Sequence, residues 1–156
     1  MKLYLAGGLF NAGERLHNLM LEKHLKLLGH EVILPQREAR QFYKDGHFDL
    51  RAVRALCKAQ ASQSDVVVVA NFDGPDADSG TAVEYTVAIM ANGSAVTYRT
   101  DFRTAPEEEL GLNAMLLLEG TEFIYLPCSF TELDQVEEYY ALLAVHIVEE
   151  VTALAP

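Results

Sequence analysis

Asp65-Val66-Val67-Val68-Val69-Ala70-Asn71-Phe72 is the stretch from which the fold can be read. Its apolar run is continuous rather than alternating, and four successive residues are β-branched. Both features suit a strand covered on its two faces, the central strand of a parallel sheet. Asp73-Gly74-Pro75-Asp76-Ala77-Asp78 follows at once and must be a loop, because glycine, proline and aspartate all favour turns. Downstream, Thr81 to Asn92 predicts a helix stopped by Gly93, and Ala95 to Tyr98 another strand. A short helix over Leu112 to Leu118, a strand over Glu122 to Leu126 and a long helix from about Thr131 to Leu154 complete that side. The long helix carries Val136, Tyr139, Tyr140, Leu143, Ile147 and Val151 at helical spacing.

Upstream the same alternation recurs. Leu3 to Ala6 reads as a buried strand closed by Gly7-Gly8. An amphipathic helix is expected from about Ala12 to Leu28, with Leu16, Leu19, Met20, Leu27 and Leu28 on its apolar face. Glu31 to Leu34 is a second strand ended by Pro35; Gln36 to Gly46 is polar and reads as loop; Leu50 to Ser62 is a second helix. Strands alternating with helices define an α/β fold. The expectation is a single domain over residues 1–156, a five-stranded parallel sheet flanked by helices on both faces, flavodoxin- or Rossmann-like.

Composition narrows the function. The net charge is −11 and the pI about 4.8. That argues against a nucleic-acid binder, which needs a basic stripe, and against docking on anionic membranes. Two cysteines, Cys57 and Cys128, lack CxxC spacing, and five histidines lack a metal-binding motif. Neither a metal nor an organic cofactor is expected. No apolar run approaches the roughly 20 residues of a membrane span. The N-terminus is too short in its apolar part for a signal peptide, so a cytoplasmic protein is expected.

In such sheets, ligands bind beyond the carboxyl ends of the strands. Asp73 to Asp78 lies at one such end, and Glu84 follows six residues after Asp78, just inside the next helix. Two carboxylates at a loop-to-helix junction can converge on one cleft, and an ionised carboxylate is what a nucleophile at an acetal carbon must be. Thr81-Ala82-Val83-Glu84 equally fits a T-x-x-E capping box, under which Glu84 closes the helix start and nothing more. Gly7-Gly8 lets a ligand approach the backbone, or simply makes a turn, with Phe10 in the core. Asp101 and Arg103 orient a site or pair with each other, the latter being favoured. Asn113 is a satisfied core amide or a ligand contact.

Taken together, four blocks in order resemble the nucleoside 2-deoxyribosyltransferase family: Tyr4-Leu5-Ala6-Gly7 with Phe10; Ser64-Asp65; Asp78-Ser79-Gly80-Thr81-Ala82-Val83-Glu84; and Asp101-Phe102-Arg103 followed by Asn113-Ala114-Met115. The resemblance implies that Glu84 is the nucleophile in a retaining double displacement, that Asp78 contacts the base and assists its protonation, and that Tyr4 lies beside the nucleophile. It implies substrate contacts from Gly7, Phe10, Gln36, Asp76, Gly80, Asn113 and Met115. The implied substrates are a deoxynucleoside and a free nucleobase, handled by a homodimer or higher homo-oligomer in which Asn113 reaches across an interface. Two positions depart from the family pattern. Cys57 stands eight residues before Asp65, where Asp or Asn is usual, and Tyr85-Thr86 follows Glu84 where a glycine is usual. An N-glycosidase of the same superfamily is the alternative reading. Against a nucleotide hydrolase, Gly7-Gly8-Leu9-Phe10 lacks the Ser or Arg of a phosphate nest. A non-enzymatic nucleotide-ligand sensor would keep the glycines but would not need Glu84.

Overall fold

A computed structural model describes residues 1–102, 112–116 and 118–154. Arg103 and Leu117 fall outside them, and with Arg103 the expected partner of Asp101. The order along the chain is β1 (Lys2–Ala6), α1 (Ala12–Leu27), β2 (Glu31–Ile33), α2 (Pro35–Glu38), a 3-10 turn (Ala39–Phe42), a hairpin of β3 (Tyr43–Lys44) and β4 (His47–Phe48), α3 (Leu50–Ala61), β5 (Val66–Asn71), α4 (Ser79–Asn92), β6 (Ala95–Arg99), a 3-10 turn (Ala114–Leu116), β7 (Thr121–Tyr125) and α5 (Asp134–Ala153).

The expected sheet is present: five parallel strands in the order β2-β1-β5-β6-β7. Winding reverses between β2 and β5, so the ends of β1 and β5 flank the crevice where such folds bind ligands. The apolar run of β5 works as its pattern demands. Val69 faces one core with Leu3, Leu5, Leu21, Tyr98, Leu143 and Ile147. Val66, Val68 and Ala70 face the other with Tyr4, Ala6, Phe72, Tyr85 and Ala88. Helices α1 and α5 cover the first face; α3 and α4 pack together on the second. Each fully buried Val or Leu contributes about 1.5–3 kcal/mol, so the two cores hold the strand ends in fixed register.

Three local expectations are corrected. The segment after β2 is not a plain loop. Pro35 starts a helical turn, and the two-stranded hairpin pairs Tyr43 with Phe48, their rings 4.8 Å apart. The buried stripe of α1 is rotated from the expected one: Leu16 and Leu27 are 60% and 73% exposed, and Leu19 and Leu28 are exposed too. Leu21 and Leu25 point inward with Asn18, Glu22 and His24. Those polar groups are all partnered: Glu22 with Arg37 and Lys26, His24 with Glu137, and Asn18 with Gly8 and Gln36. The stretch around Asn113 forms a single 3-10 turn rather than a helix. The stripe of α5 is as expected, with Tyr140, Leu143, Ile147 and Val151 buried. No helix among the described residues is long and apolar enough to cross a membrane.

Candidate active site

The register of β1 and the start of α4 build the site. Tyr4 lies in the middle of β1, fully buried, opposite Val68 of β5. Its hydroxyl emerges toward α4 and donates to Glu84 Oε1 at 2.8 Å. The Cys57 thiol, from α3, lies beside both groups and interacts with each. Burial pushes the Glu84 carboxyl from 4.5 up to about 7; the bonds from Tyr4 and Cys57 oppose that rise, and the Asp78 charge adds to it. Burial and the Glu84 charge push the Tyr4 phenol far above its ordinary range, so it stays a donor.

The sequence of the α4 start explains why Glu84 is free for this. The helix begins at Ser79, not Thr81, and its N-cap is Asp78, whose Oδ2 accepts from Thr81 N at 2.8 Å and Thr81 Oγ1 at 3.0 Å. A side chain at Gly80 would come within 3.0 Å of that same oxygen, so glycine keeps the cap intact. Glu84 therefore sits in the second turn and closes nothing. The capping-box reading of Thr81 and Glu84 is overturned.

A cavity of about 790 Å³ opens along the carboxyl ends of the strands. It is lined by Gly8, Gly13, Glu14 and His17 from the β1–α1 side, Asn71, Asp73 to Asp76 and Asp78 from β5 and its loop, and Thr100, Asp101, Phe102 and Cys128 beyond β6 and β7. Asp78 borders it; Glu84 senses the Asp78 charge but does not line the cavity.

The loop holding Asp76 and Asp78 is braced from below. Buried Arg99 donates to Phe72 O at 2.7 Å and to Gly74 O at 3.0 Å. The Asp73 carboxylate accepts from Thr100 N, Thr100 Oγ1 and Asp101 N, while Asp101 Oδ2 accepts from Gly74 N. On the cavity wall, His17 is held by Tyr98 OH at 2.8 Å on Nε2 and Tyr140 OH at 2.9 Å on Nδ1. Burial lowers its pKa, so it is neutral.

The residues expected at the site divide. Tyr4 and Glu84 are in contact, and Asp76 and Asp78 share the cavity wall. Gly7 packs tightly on Asn71. Gln36 lies at the β2 end, its amide held between Asn18 Nδ2 and Arg15 O at 3.2 Å each, and is joined through Asn18 to Gly8 O. Phe10 is 77% exposed and Met115 78%; neither lines the cavity, nor does Asn113. Asn113 is exposed, with Oδ1 accepting from Met115 N, so it is not a core amide. Nor is Phe10 in the core. Tyr139 and Tyr140 bond within the chain, to Leu126 O and His17. Glu14, His17 and Asn71 went unread as site residues. The signal was present for the first two, since they stand three apart, one helical turn, directly after the Gly7-Gly8 turn. Among the described residues, no group of three or more His, Cys, Asp or Glu is placed to hold a metal ion.

A conserved protein from Enterococcus faecalis V583 superposes with a TM-score of 0.66 at 26% identity, over 89% of this chain and 96% of that one. A 2-deoxyribosyltransferase from Bacillus psychrosaccharolyticus gives 0.58 at 22% identity, over 92% and 96%, a likeness of fold. The comparison with curated proteins finds no match. The nucleoside 2-deoxyribosyltransferase family model matches residues 3–115, from β1 through α4 and β6 to the turn after Asn113. That span is well over half the sequence and includes Tyr4, Asp78 and Glu84, so the chain belongs to the nucleoside 2-deoxyribosyltransferase family of enzymes.

Proposed function

We propose that this enzyme moves a 2-deoxyribosyl group from one nucleobase to another by two displacements on Glu84. The observation that carries the reading is the Tyr4–Glu84 contact: a half-buried carboxylate of raised pKa that accepts from a buried phenol, next to Asp78 of the cavity wall. In the first step Glu84 Oε2 bonds to C1′ of the sugar as the C1′–N bond breaks. The bonding pair leaves with the base, which takes a proton relayed from solvent through Asp78 Oδ1. Tyr4 keeps its bond to Oε1, which becomes the ester carbonyl oxygen. In the second step a ring nitrogen of the incoming base attacks C1′, the ester C–O pair returns to Glu84, and the base proton leaves to solvent through Asp78. The sugar keeps its configuration, as in retaining glycosidases. Lack of an electron-withdrawing 2′-hydroxyl eases charge build-up at C1′. Nothing beyond the two bases and the sugar is consumed.

Asp78 Oδ2 is committed to the helix cap, so the base contact belongs to Oδ1. Gln36 meets the base from the β2 side; Gly7, Gly80, Asp76 and Phe10 shape the surrounding loops. Asn113 and Met115, exposed on their turn, serve the site of a neighbouring copy in a homodimer or larger assembly. The cytoplasm, where nucleosides are salvaged, is the proposed location.

Incubation with deoxyinosine and adenine tests the reading. Deoxyadenosine should form, and should not form with Glu84→Gln. Free hypoxanthine without the new nucleoside would make the protein an N-glycosidase. No turnover with any purine or pyrimidine would make it a ligand sensor.

A further inference from the structure

Glu84 and Tyr85 are neighbours in sequence and leave α4 in different directions, because successive helical residues stand about 100° apart. Glu84 is turned toward β1 and α3, where it meets Tyr4 and Cys57. Tyr85 is turned toward β7. It is fully buried, with its ring edge-to-face against Phe72 at 5.4 Å. Its hydroxyl lies among three groups from one stretch of chain. It donates to Leu116 O at 3.0 Å and accepts from Leu118 N at 3.3 Å. With its proton so used, it accepts also from Thr121 Oγ1 at 2.5 Å, at the start of β7. One donor and two acceptor positions are all a phenol has, so the hydroxyl is saturated.

The stretch so anchored has two sides. Leu112 is buried in the core beneath α3 and α4, and Leu116 and Leu118 pack against that core. Between them Asn113, Ala114 and Met115 are exposed. The turn closes on itself through Leu116 N to Asn113 O at 2.9 Å and Met115 N to Asn113 Oδ1 at 3.0 Å. Leucines thus seat the turn, and Asn113 and Met115 are held out to solvent. Apolar burial is non-directional and fixes no single position along the core. Three directional bonds to one hydroxyl do.

Resting on the transferase reading, in which that turn serves the site of a neighbouring copy, we infer that Tyr85 is a positioning residue for the neighbouring site. Helix α4 then contributes to two sites through consecutive residues: Glu84 to its own and, by way of Tyr85, the Asn113 turn to the next. The residue after the nucleophile departs from the family pattern, and the departure is what supplies the hydroxyl.

The test asks on which copy the loss of that hydroxyl is felt. Two differently tagged chains are co-expressed, and oligomers holding both are purified. Exchange of deoxyinosine with adenine is then measured per chain bearing Glu84. Tyr85→Phe keeps the ring against Phe72 and removes the hydroxyl. On its own it should lose about tenfold or more in exchange, since a contact misplaced by about an ångström is enough for that. Glu84→Gln on its own should be inactive. In the mixed oligomer, Glu84 of the Tyr85→Phe chain receives the intact turn of the Glu84→Gln chain. Exchange there should return to within about threefold of wild type, each site being completed by the other copy. Tyr85→Phe mixed with Asn113→Ala should not recover, because neither chain offers a sound turn. A merely structural hydroxyl would harm the chain that lacks it, and the first mixture would stay as impaired as Tyr85→Phe alone. That result would overturn the inference. So would wild-type exchange by folded Tyr85→Phe, or a wild-type protein that is monomeric by light scattering. Should Tyr85→Phe not fold, Thr121→Val removes one partner of the same hydroxyl and enters the same mixtures. Recovery in the first mixture with Asn113→Ala itself fully active would assign the contact to Met115 and uphold the role of Tyr85. No exchange by the wild-type oligomer would sink the transferase reading and this inference with it; an active wild type with an unrescued mixture would sink the inference alone.

Discussion

Two polar clusters lie at the ends of the same strands, on opposite faces of the sheet, and they are wired differently. On the α1/α5 face, both ring nitrogens of His17 are bonded to tyrosine hydroxyls, and both oxygens of Asp73 accept from backbone or hydroxyl donors. On the α3/α4 face, Glu84 is held by one phenol and one thiol, against burial and the charge of Asp78. A saturated network rigidifies a fold and resists change of protonation. A carboxylate only partly compensated keeps its ionisation near neutrality and its reactivity available. On the proposed mechanism, incomplete compensation rather than burial alone marks the chemistry.

The sharpest way to break the contrast is to remove the carboxylate. Glu84→Gln should lower base exchange by about a thousandfold or more while the protein still folds, judged by circular dichroism and initial rates. It should also change stability in a pH-dependent way. The wild-type carboxyl is neutral in both folded and unfolded states below 4.5, and is neutral only in the fold between 4.5 and about 7. Its favourable burial is complete below 4.5 and is lost as pH rises through 7, where the fold must hold a charge. Denaturant melts should show wild type losing stability relative to Glu84→Gln across that window, by up to about 3 kcal/mol. A constant difference from pH 4 to 8 would mean that the carboxyl is solvated.

Next in size is Tyr4→Phe. Losing the hydroxyl that favours the ionised carboxylate should cost about ten- to a hundredfold in kcat/KM. The limb of kcat/KM that rises with pH through about 7 should move upward. Asp78→Asn should move that limb the other way, because the neighbouring charge raises the Glu84 pKa, and should keep the cap. Asp78→Ala should lose the cap as well, for a further 0.5–2 kcal/mol or about that in chemical denaturation. The smallest effect should come from the saturated cluster. Tyr140→Phe leaves His17 Nδ1 without its partner and should cost about 1–2 kcal/mol of stability. Exchange per folded molecule should stay within about threefold; a large kinetic loss there would erase the distinction between the two faces.

The legible parts of the molecule were those whose cause is local. The unbroken β5 run, Gly93 after α4 and the periodic apolar positions of α5 each carry their structural meaning in a few neighbours. The stripe of α1 does not. Glu22 and His24 look like exposed residues in the sequence and are buried because Arg37, Lys26 and Glu137 meet them, one from a different helix more than a hundred positions away. The pairing of Asp78 with Glu84 was visible in spacing, but their division of labour was not. Which residue caps α4 depends on where the helix begins, and the small room beside Gly80 decides that. Cys57 was legible only as a gap in a pattern; its contact with Tyr4 and Glu84 joins three separate elements.

Tyr4 has one further consequence. It sits in the interior of β1, where successive side chains alternate between faces, and Leu3 and Leu5 on either side belong to the other core. A slip of β1 by a single residue against β5 would exchange phenol for leucine at the carboxylate and send the hydroxyl to the wrong helices. If Glu84 acts as proposed, turnover is in effect a readout of strand alignment, and a misthreaded molecule would be silent even if compact.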